Sequence, residues 1–146
     1  MRIHDLMNRD VISCSPQMHL DEAVALMHGK DCGFVAVVEG DVVVGVLTDR
    51  DVAISAWQRG VPIAQVQVLE AMTVEPVVVS DEETVERAEE LMCAAGVRRL
   101  PVVDTARRLL GVVSLGDLAA APGRGARGSH RDDVVATLSI LARRAR

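Results

Sequence analysis

The chain repeats itself, and this repeat constrains the fold more than any other feature. Shifting the sequence by 65 residues lays residues 5–40 on residues 70–105, and one residue inserted in the second copy near Thr105 to Arg108 changes the offset to 66. An internal repeat of this length predicts two copies of one supersecondary unit. The matched pairs include Met7 with Met72, Ala23 with Ala88, Val37 with Val102, Gly45 with Gly111 and Asp51 with Asp117.

Each copy has the pattern of a β-α-β-β-α unit. A short strand and a helix-start signal at Ser15 or Ser80 open the unit, and a helix with apolar residues three and four apart follows. Two Val-rich runs joined by a polar turn then predict a hairpin before a second helix, which begins at Thr48 or Ser114. The predicted strands cover residues 11–13, 34–38 and 42–47 in the first copy and residues 77–79, 100–103 and 109–113 in the second.

These patterns predict a mixed α/β (α+β) fold built from two repeats. A unit of about 50 residues cannot cover the apolar face of its own three-stranded sheet, so we expect residues 1–61 and 62–122 to pack about a pseudo-two-fold axis. A ligand cleft is expected between them. Residues 57–68, which contain Gly60 and Pro62, are predicted to form the linker.

The C-terminal region differs from the rest of the chain in charge. From Gly123 onward there are six Arg and two Asp, which gives +4, whereas the preceding residues hold 10 bases and 19 acids, which gives −9. We expect a flexible hinge at residues 123–128 and an amphipathic helix at 129–145. This helix is predicted to dock on the protein's own dimer; the alternative is that its Arg residues contact a partner or nucleic acid.

Composition excludes several classes of protein. An acidic body whose only aromatic residues are Phe34 and Trp57 is a poor surface for nucleic acid, which needs cations and stacking rings. No run approaches the roughly 18 apolar residues of a membrane span, and no secretory signal opens the chain. A cytoplasmic protein is therefore expected. The three scattered cysteines and the histidines match no metal-ligand spacing, which argues against a metal site.

Two segments at equivalent positions carry a resemblance to a known family. Residues 45–51, GVLTDRD, and residues 111–117, GVVSLGD, are similar to the ribose-phosphate signature of CBS domains, the cystathionine-β-synthase-type modules. That signature is a Gly, two apolar residues, Ser or Thr, two free positions and Asp. The segments 5–7, 70–73 and 100–104 extend the match, so residues 3–121 resemble a tandem CBS pair, or Bateman module.

The resemblance implies a non-catalytic regulatory module. Members of the family bind an adenosine-containing ligand between two repeats and pair with a second module, so we expect a homodimer that signals through another protein. AMP, ADP, ATP and S-adenosylmethionine are candidate ligands, and no cofactor is required. No nucleophile, base and oxyanion donor occur together in the sequence, which also argues against an enzyme.

Six residues are predicted to contact the ligand. Thr48 and Ser114 each lie at a strand-to-helix junction, where a hydroxyl and first-turn amides favour phosphate. Asp51 and Asp117 lie one turn later and can accept hydrogen bonds from the two adjacent hydroxyls of a ribose. Arg98 and Arg99 precede a strand of the second repeat only, so they are predicted to hold phosphate there and to make the two sites unequal.

The alternative is a purely structural role, in which both motifs only cap helices. Ser or Thr followed three residues later by an acid is a capping box, and the same spacing recurs at Ser80 with Glu83 and at Ser129 with Asp132. Under this alternative the chain is a ligand-free structural or interaction module. The GxGxxG match at residues 123–128 follows a helix end instead of a strand, so it is not a dinucleotide fingerprint.

Overall fold

The computed structural model describes residues 1–122, so the predicted hinge and C-terminal helix at 123–146 lie outside the described residues. The chain folds into two compact units, each with its own hydrophobic core. The first-repeat unit contains Asp10–Pro76 and Ala106–Leu109, and the second-repeat unit contains Met1–Arg9, Val77–Thr105 and, of the remaining described chain, residues 110–122.

The first-repeat unit is a four-stranded sheet with two helices. Its elements are β1 (Ser13–Cys14), α1 (Leu20–Gly29), β2 (Phe34–Glu39), β3 (Val42–Thr48), α2 (Asp49–Arg59) and β4 (Thr73–Val74). The strand order is β1-β2-β3-β4, with β1 parallel to β2 and the other pairs antiparallel. Helix α1 buries Leu20, Ala23 and Met27, as the apolar spacing of the sequence predicts.

The second-repeat unit has the same succession of elements as β1 to α2. These are β5 (Val79–Ser80), α3 (Val85–Ala95), β6 (Arg99–Val103), β7 (Leu109–Ser114) and α4 (Leu115–Ala119). The strands lie in the order β5-β6-β7, with β5 parallel to β6. Helix α3 buries Val85, Ala88 and Met92. The β-α-β-β-α order predicted for both repeats is confirmed.

The segment that precedes each repeat packs on the other repeat. A 3-10 helix, Ile3–Asp5, leads into the first repeat, yet Ile3 is buried in the core of the second-repeat unit and its amide donates to Glu83 O at 2.9 Å. Val68, 65 residues later, is buried in the core of the first-repeat unit and its amide donates to Met18 O at 2.7 Å. The sequence repeats, 1–61 and 62–122, therefore exchange their leading segments in the compact units.

The exchanged segments also explain a strand that local sequence patterns did not predict. Strand β4 pairs antiparallel with β3, so the first sheet has four strands where three were predicted. In the second-repeat unit the equivalent contact is a single bridge, in which Asn8 and Val112 exchange two backbone hydrogen bonds of 2.8 and 2.9 Å. Because these paired segments are far apart in sequence, a local sequence pattern does not predict their pairing.

Two predicted helix boundaries are wrong. Helices α1 and α3 begin after the N-caps His19 and Thr84, four residues beyond the predicted starts at Ser15 and Ser80. Both cap residues are extended and form bridges to an exchanged segment, which delays the helix. The predicted linker also begins too early, because Trp57 lies within α2, which ends at the left-handed Gly60 (φ 61°).

The residue inserted in the second copy lies in a segment with defined partners. Val43 N donates to Arg107 O at 3.0 Å, and Leu109 N donates to Asp41 O at 2.8 Å. Arg107 adopts a left-handed backbone (φ 60°), which is uncommon for a residue with a side chain. The polar turn therefore packs on the start of β3.

The three cysteines are free thiols. Cys14 is buried in the core of the first-repeat unit, and this burial raises the pKa of its thiol to about 11. A thiol that stays protonated at neutral pH is a poor nucleophile, so Cys14 is a packing residue.

The exchange of leading segments predicts that shortening the side chain of Ile3 or of Val68 destabilises the repeat to which that residue does not belong in sequence. We expect Ile3→Ala to lower the free energy of unfolding by about 2–5 kcal/mol, because Ile3 lies in the core of the second-repeat unit. The variant should also accelerate amide hydrogen exchange in α3 and β6. The matched variant Val68→Ala should instead accelerate exchange in α1 and β2. Faster exchange in α1 and β2 of the Ile3→Ala variant, with α3 and β6 still protected, would contradict the exchanged arrangement.

Candidate ligand-binding site

Both signature motifs lie at a junction between a strand and a helix. Thr48 ends β3 and caps α2, while Ser114 ends β7 and caps α4. Both residues are half-buried and extended, with φ and ψ of −114° and 161° at Thr48 and of −109° and 160° at Ser114. The first-turn amides of a helix have no acceptor within the helix itself. In α2 all three already have other acceptors, namely Gly33 O, Asp49 Oδ1 and Thr48 Oγ1.

In the first-repeat unit, Thr48 and Asp51 form a reciprocal capping box. The Thr48 amide donates to Asp51 Oδ2 at 2.9 Å, and the Asp51 amide donates to Thr48 Oγ1 at 3.1 Å. The Thr48 hydroxyl proton has no acceptor among residues 1–122. The Thr48 hydroxyl can therefore still donate one hydrogen bond.

In the second-repeat unit, Ser114 and Asp117 repeat the box with one further bond. The Ser114 amide donates to Asp117 Oδ2 at 2.7 Å, and the Asp117 amide donates to Ser114 Oγ at 3.2 Å. The Ser114 hydroxyl also lies 2.6 Å from Asp117 Oδ2 and donates to it. Unlike the Thr48 hydroxyl, that of Ser114 already has an acceptor.

Both motifs therefore form capping boxes, and each box uses only part of its carboxylate. In each aspartate Oδ2 accepts the capping bonds, whereas Oδ1 has no hydrogen-bond partner within the described part of the chain. The cap also fixes the orientation of the side chain. Asp51 and Asp117 therefore each present one unused acceptor oxygen in a defined position.

The glycine of each motif admits the exchanged segment. A Cβ atom placed on Gly45 would lie 2.7 Å from Met72 Sδ and 3.0 Å from Thr73 O. On Gly111 it would lie 2.6 Å from Asn8 O. Only a residue without a side chain allows this approach, so the motif glycine has a structural role in both repeats.

The loop before β6 lies against the second motif. The Leu115 amide, the first of α4, donates to Arg98 O at 2.9 Å, and Arg99 begins β6. Both arginines are exposed, and neither guanidinium has an ion-pair partner among the described residues. The fold therefore brings the backbone of Arg98 directly to the residue after Ser114.

The equivalent place in the first motif carries the opposite charge. The Asp49 amide donates to Gly33 O at 3.1 Å, the same bond as between Leu115 and Arg98. A Cβ on Gly33 would lie 2.5 Å from Asp49 Oδ2, so the carboxylate occupies the space that a side chain at residue 33 would need. Sequence reasoning missed Asp49; the only available signal was that its repeat equivalent is Leu115.

No group of three or more His, Cys, Asp or Glu residues within residues 1–122 could hold a metal ion. No helix in the same range has both the length and the apolar character needed to cross a membrane.

Comparison with known proteins assigns the family. The family model for the CBS domain matches residues 3–56 and 66–124. The CBS domain-containing protein YhcV of Bacillus subtilis (strain 168) is 39% identical over 117 residues, which are 80% of this chain and 82% of YhcV.

Two crystal structures share the fold. Hypoxic Response Protein I with two coordinated zinc ions has a TM-score of 0.76 and 27% identity and covers 84% of this chain and 100% of that one. CBSX2 in complex with AMP has a TM-score of 0.72 and 27% identity, with coverages of 86% and 98%. The chain therefore belongs to the CBS domain family, in which it is a tandem CBS pair.

Proposed function

We propose that this protein is a non-catalytic regulatory module that binds an adenosine-containing ligand at its two signature motifs. The proposal rests on the aspartate in the first turn of α2 and of α4, whose carboxylate has one oxygen bonded in the cap and one oxygen without a partner. Asp51 and Asp117 are held by their caps through one oxygen and leave the other oxygen without a partner in residues 1–122.

A ribose matches this acceptor because it offers two adjacent hydroxyl donors. A hydrogen bond to a charged group contributes roughly 1.5–3 kcal/mol when water is excluded. Orientation by the cap lowers the entropy lost on binding. The likeness to CBSX2, which has been crystallised with AMP, supports an adenosine ligand for this chain.

Arg98 and Arg99 are proposed to select a phosphate at the second motif. Arg98 lies next to the first amide of α4, and both guanidiniums are exposed without an ion-pair partner among the described residues. A guanidinium donates a planar pair of hydrogen bonds that fits phosphate oxygens. AMP, ADP and ATP are accordingly assigned to the second motif.

A thermal-shift series with AMP, ADP, ATP and S-adenosylmethionine tests ligand binding. A ligand present at about 100 times its dissociation constant should raise the free energy of unfolding by about 2.7 kcal/mol and the midpoint by several degrees. Asp51→Asn and Asp117→Asn should each abolish the contribution of their own motif, because the amide keeps a capping acceptor but loses the charge-assisted bonds to ribose.

Glu83→Gln is the matched control. Glu83 Oε2 accepts from the Ser80 amide at 3.0 Å in the same three-residue spacing, outside either motif. The control should leave every ligand shift intact. If no adenosine compound shifts the midpoint, or if both aspartate variants lower it equally with and without ligand, the motifs only cap helices and the chain is a structural or interaction module.

We also propose that the module is a homodimer paired through α2. Trp57 is 80% exposed, and Ile54 and Val61, three residues before it and four after it, are about 40% exposed. Ile54 and Trp57 form an apolar stripe on one face of α2, and Val61 follows the left-handed Gly60 that ends the helix. An exposed tryptophan in an apolar stripe is typical of an interface centre. A second copy would present the same stripe, as a two-fold interface requires. A protein partner would bind this dimer with an affinity that depends on whether the ligand is bound.

The dimer has a direct spectroscopic test because Trp57 is the only tryptophan of the chain. The mass in solution, measured by light scattering, should be twice 15.7 kDa, and dilution should shift the tryptophan emission to the red as Trp57 enters water. Trp57→Glu should give a monomer, whereas the exposed neighbour variant Gln58→Glu should remain a dimer. A monomeric wild type, or a dimeric Trp57→Glu variant, would refute pairing through this stripe.

A further inference from the structure

One junction of the fold carries opposite charges in the two repeats. Arg98 and Gly33 occupy equivalent positions in the two repeats. The carbonyl oxygen of each accepts a hydrogen bond from the amide of the first residue of α4 or α2, respectively. The second repeat places an arginine there. In the first repeat that side chain is missing, and the carboxylate of Asp49 fills its place, with Oδ2 2.5 Å from where a Cβ on Gly33 would be.

The surroundings of each junction reinforce this difference. The first motif has Asp49 and Asp51 with one cation, Arg50, in the same turn, which gives a net charge of −1. The Arg50 amide donates to Asp49 Oδ1 at 2.9 Å, and its side chain leaves the helix about 100° away from that of Asp49. The second motif has Asp117 with Arg98 and Arg99, which gives a net charge of +1.

We infer that Asp49 is a specificity-determining residue that excludes phosphate from the first motif. This inference rests on the proposed function, since it concerns ligand choice at the same motif. A phosphate that enters as it does at the second motif meets the Asp49 carboxylate beside residue 33, the position from which the arginine side chain extends in the second motif. The first motif therefore takes an adenosyl ligand without a 5′ phosphate, and the second takes a nucleotide.

Adenosine and AMP are the probes because they differ only by the phosphate. Calorimetry on the full chain with Asp117→Asn isolates the first motif, where AMP should bind at least about tenfold more weakly than adenosine. Adding Asp49→Asn should strengthen AMP binding roughly tenfold and leave adenosine unchanged, since one charge at about 6 Å in a partly solvated site changes affinity by that order. High salt should reduce the difference between the probes.

Matched variants separate charge from structure. Asp21→Asn removes an exposed aspartate from the first turn of α1, outside the motifs, and should change neither affinity. In the Asp51→Asn background, Arg98→Gln should weaken AMP and not adenosine at the second motif. Unfolding midpoints without ligand show that each variant is folded.

The outcomes distinguish the inference from the function on which it rests. Equal binding of AMP and adenosine at the first motif, or an equal effect of Asp49→Asn on both probes, overturns the role of Asp49 while leaving adenosine binding in place. Binding of neither probe to the wild-type chain overturns the proposed function itself.

Discussion

Both hydrophobic cores require the close approach of a leading segment to a glycine on the third strand of each repeat. At Gly45 the approaching residues are Met72 and Thr73, and at Gly111 they are Met7 and Asn8. A side chain at either glycine would meet backbone oxygen at 3.0 Å or less. Because these segments lead into the opposite repeat, each core is completed by residues that are distant in sequence.

The same strands that carry these glycines end at the ligand motifs. Strand β3 runs from the turn packed by Arg107 to the cap at Thr48, and β7 runs from Leu109 to the cap at Ser114. The motif thus combines two functions along a few residues: its glycine accepts the exchanged segment, and its hydroxyl and acid start a helix. A capped carboxylate is no obstacle to binding, because a carboxylate has more acceptor positions than one helix end requires.

Repeated architecture does not give the two motifs equal chemistry. The backbone hydrogen bonds of the first motif recur in the second, so the fold presents two similar frames. The charges differ because single positions have diverged, with Gly33 and Asp49 in one repeat and Arg98 and Leu115 in the other. Under the proposed function, this difference in charge would let one chain respond to two ligands, provided that each has a different affinity for the states of the module.

Local residue patterns were enough to predict the repeat, the order of strands and helices, the hairpins and the helix starts at Thr48 and Ser114. These features are local, since period-two and period-3.6 patterns and capping residues act within a few positions. Tertiary structure alone decided that Ile3 and Val68 complete opposite cores, that β4 joins the first sheet, and that α1 and α3 begin four residues late. It also decided that the carboxylate of Asp49 lies against Gly33, 16 residues earlier in the chain. The physical reason is that these contacts join segments far apart in sequence, where packing and backbone pairing outweigh the local propensities that a sequence pattern reports.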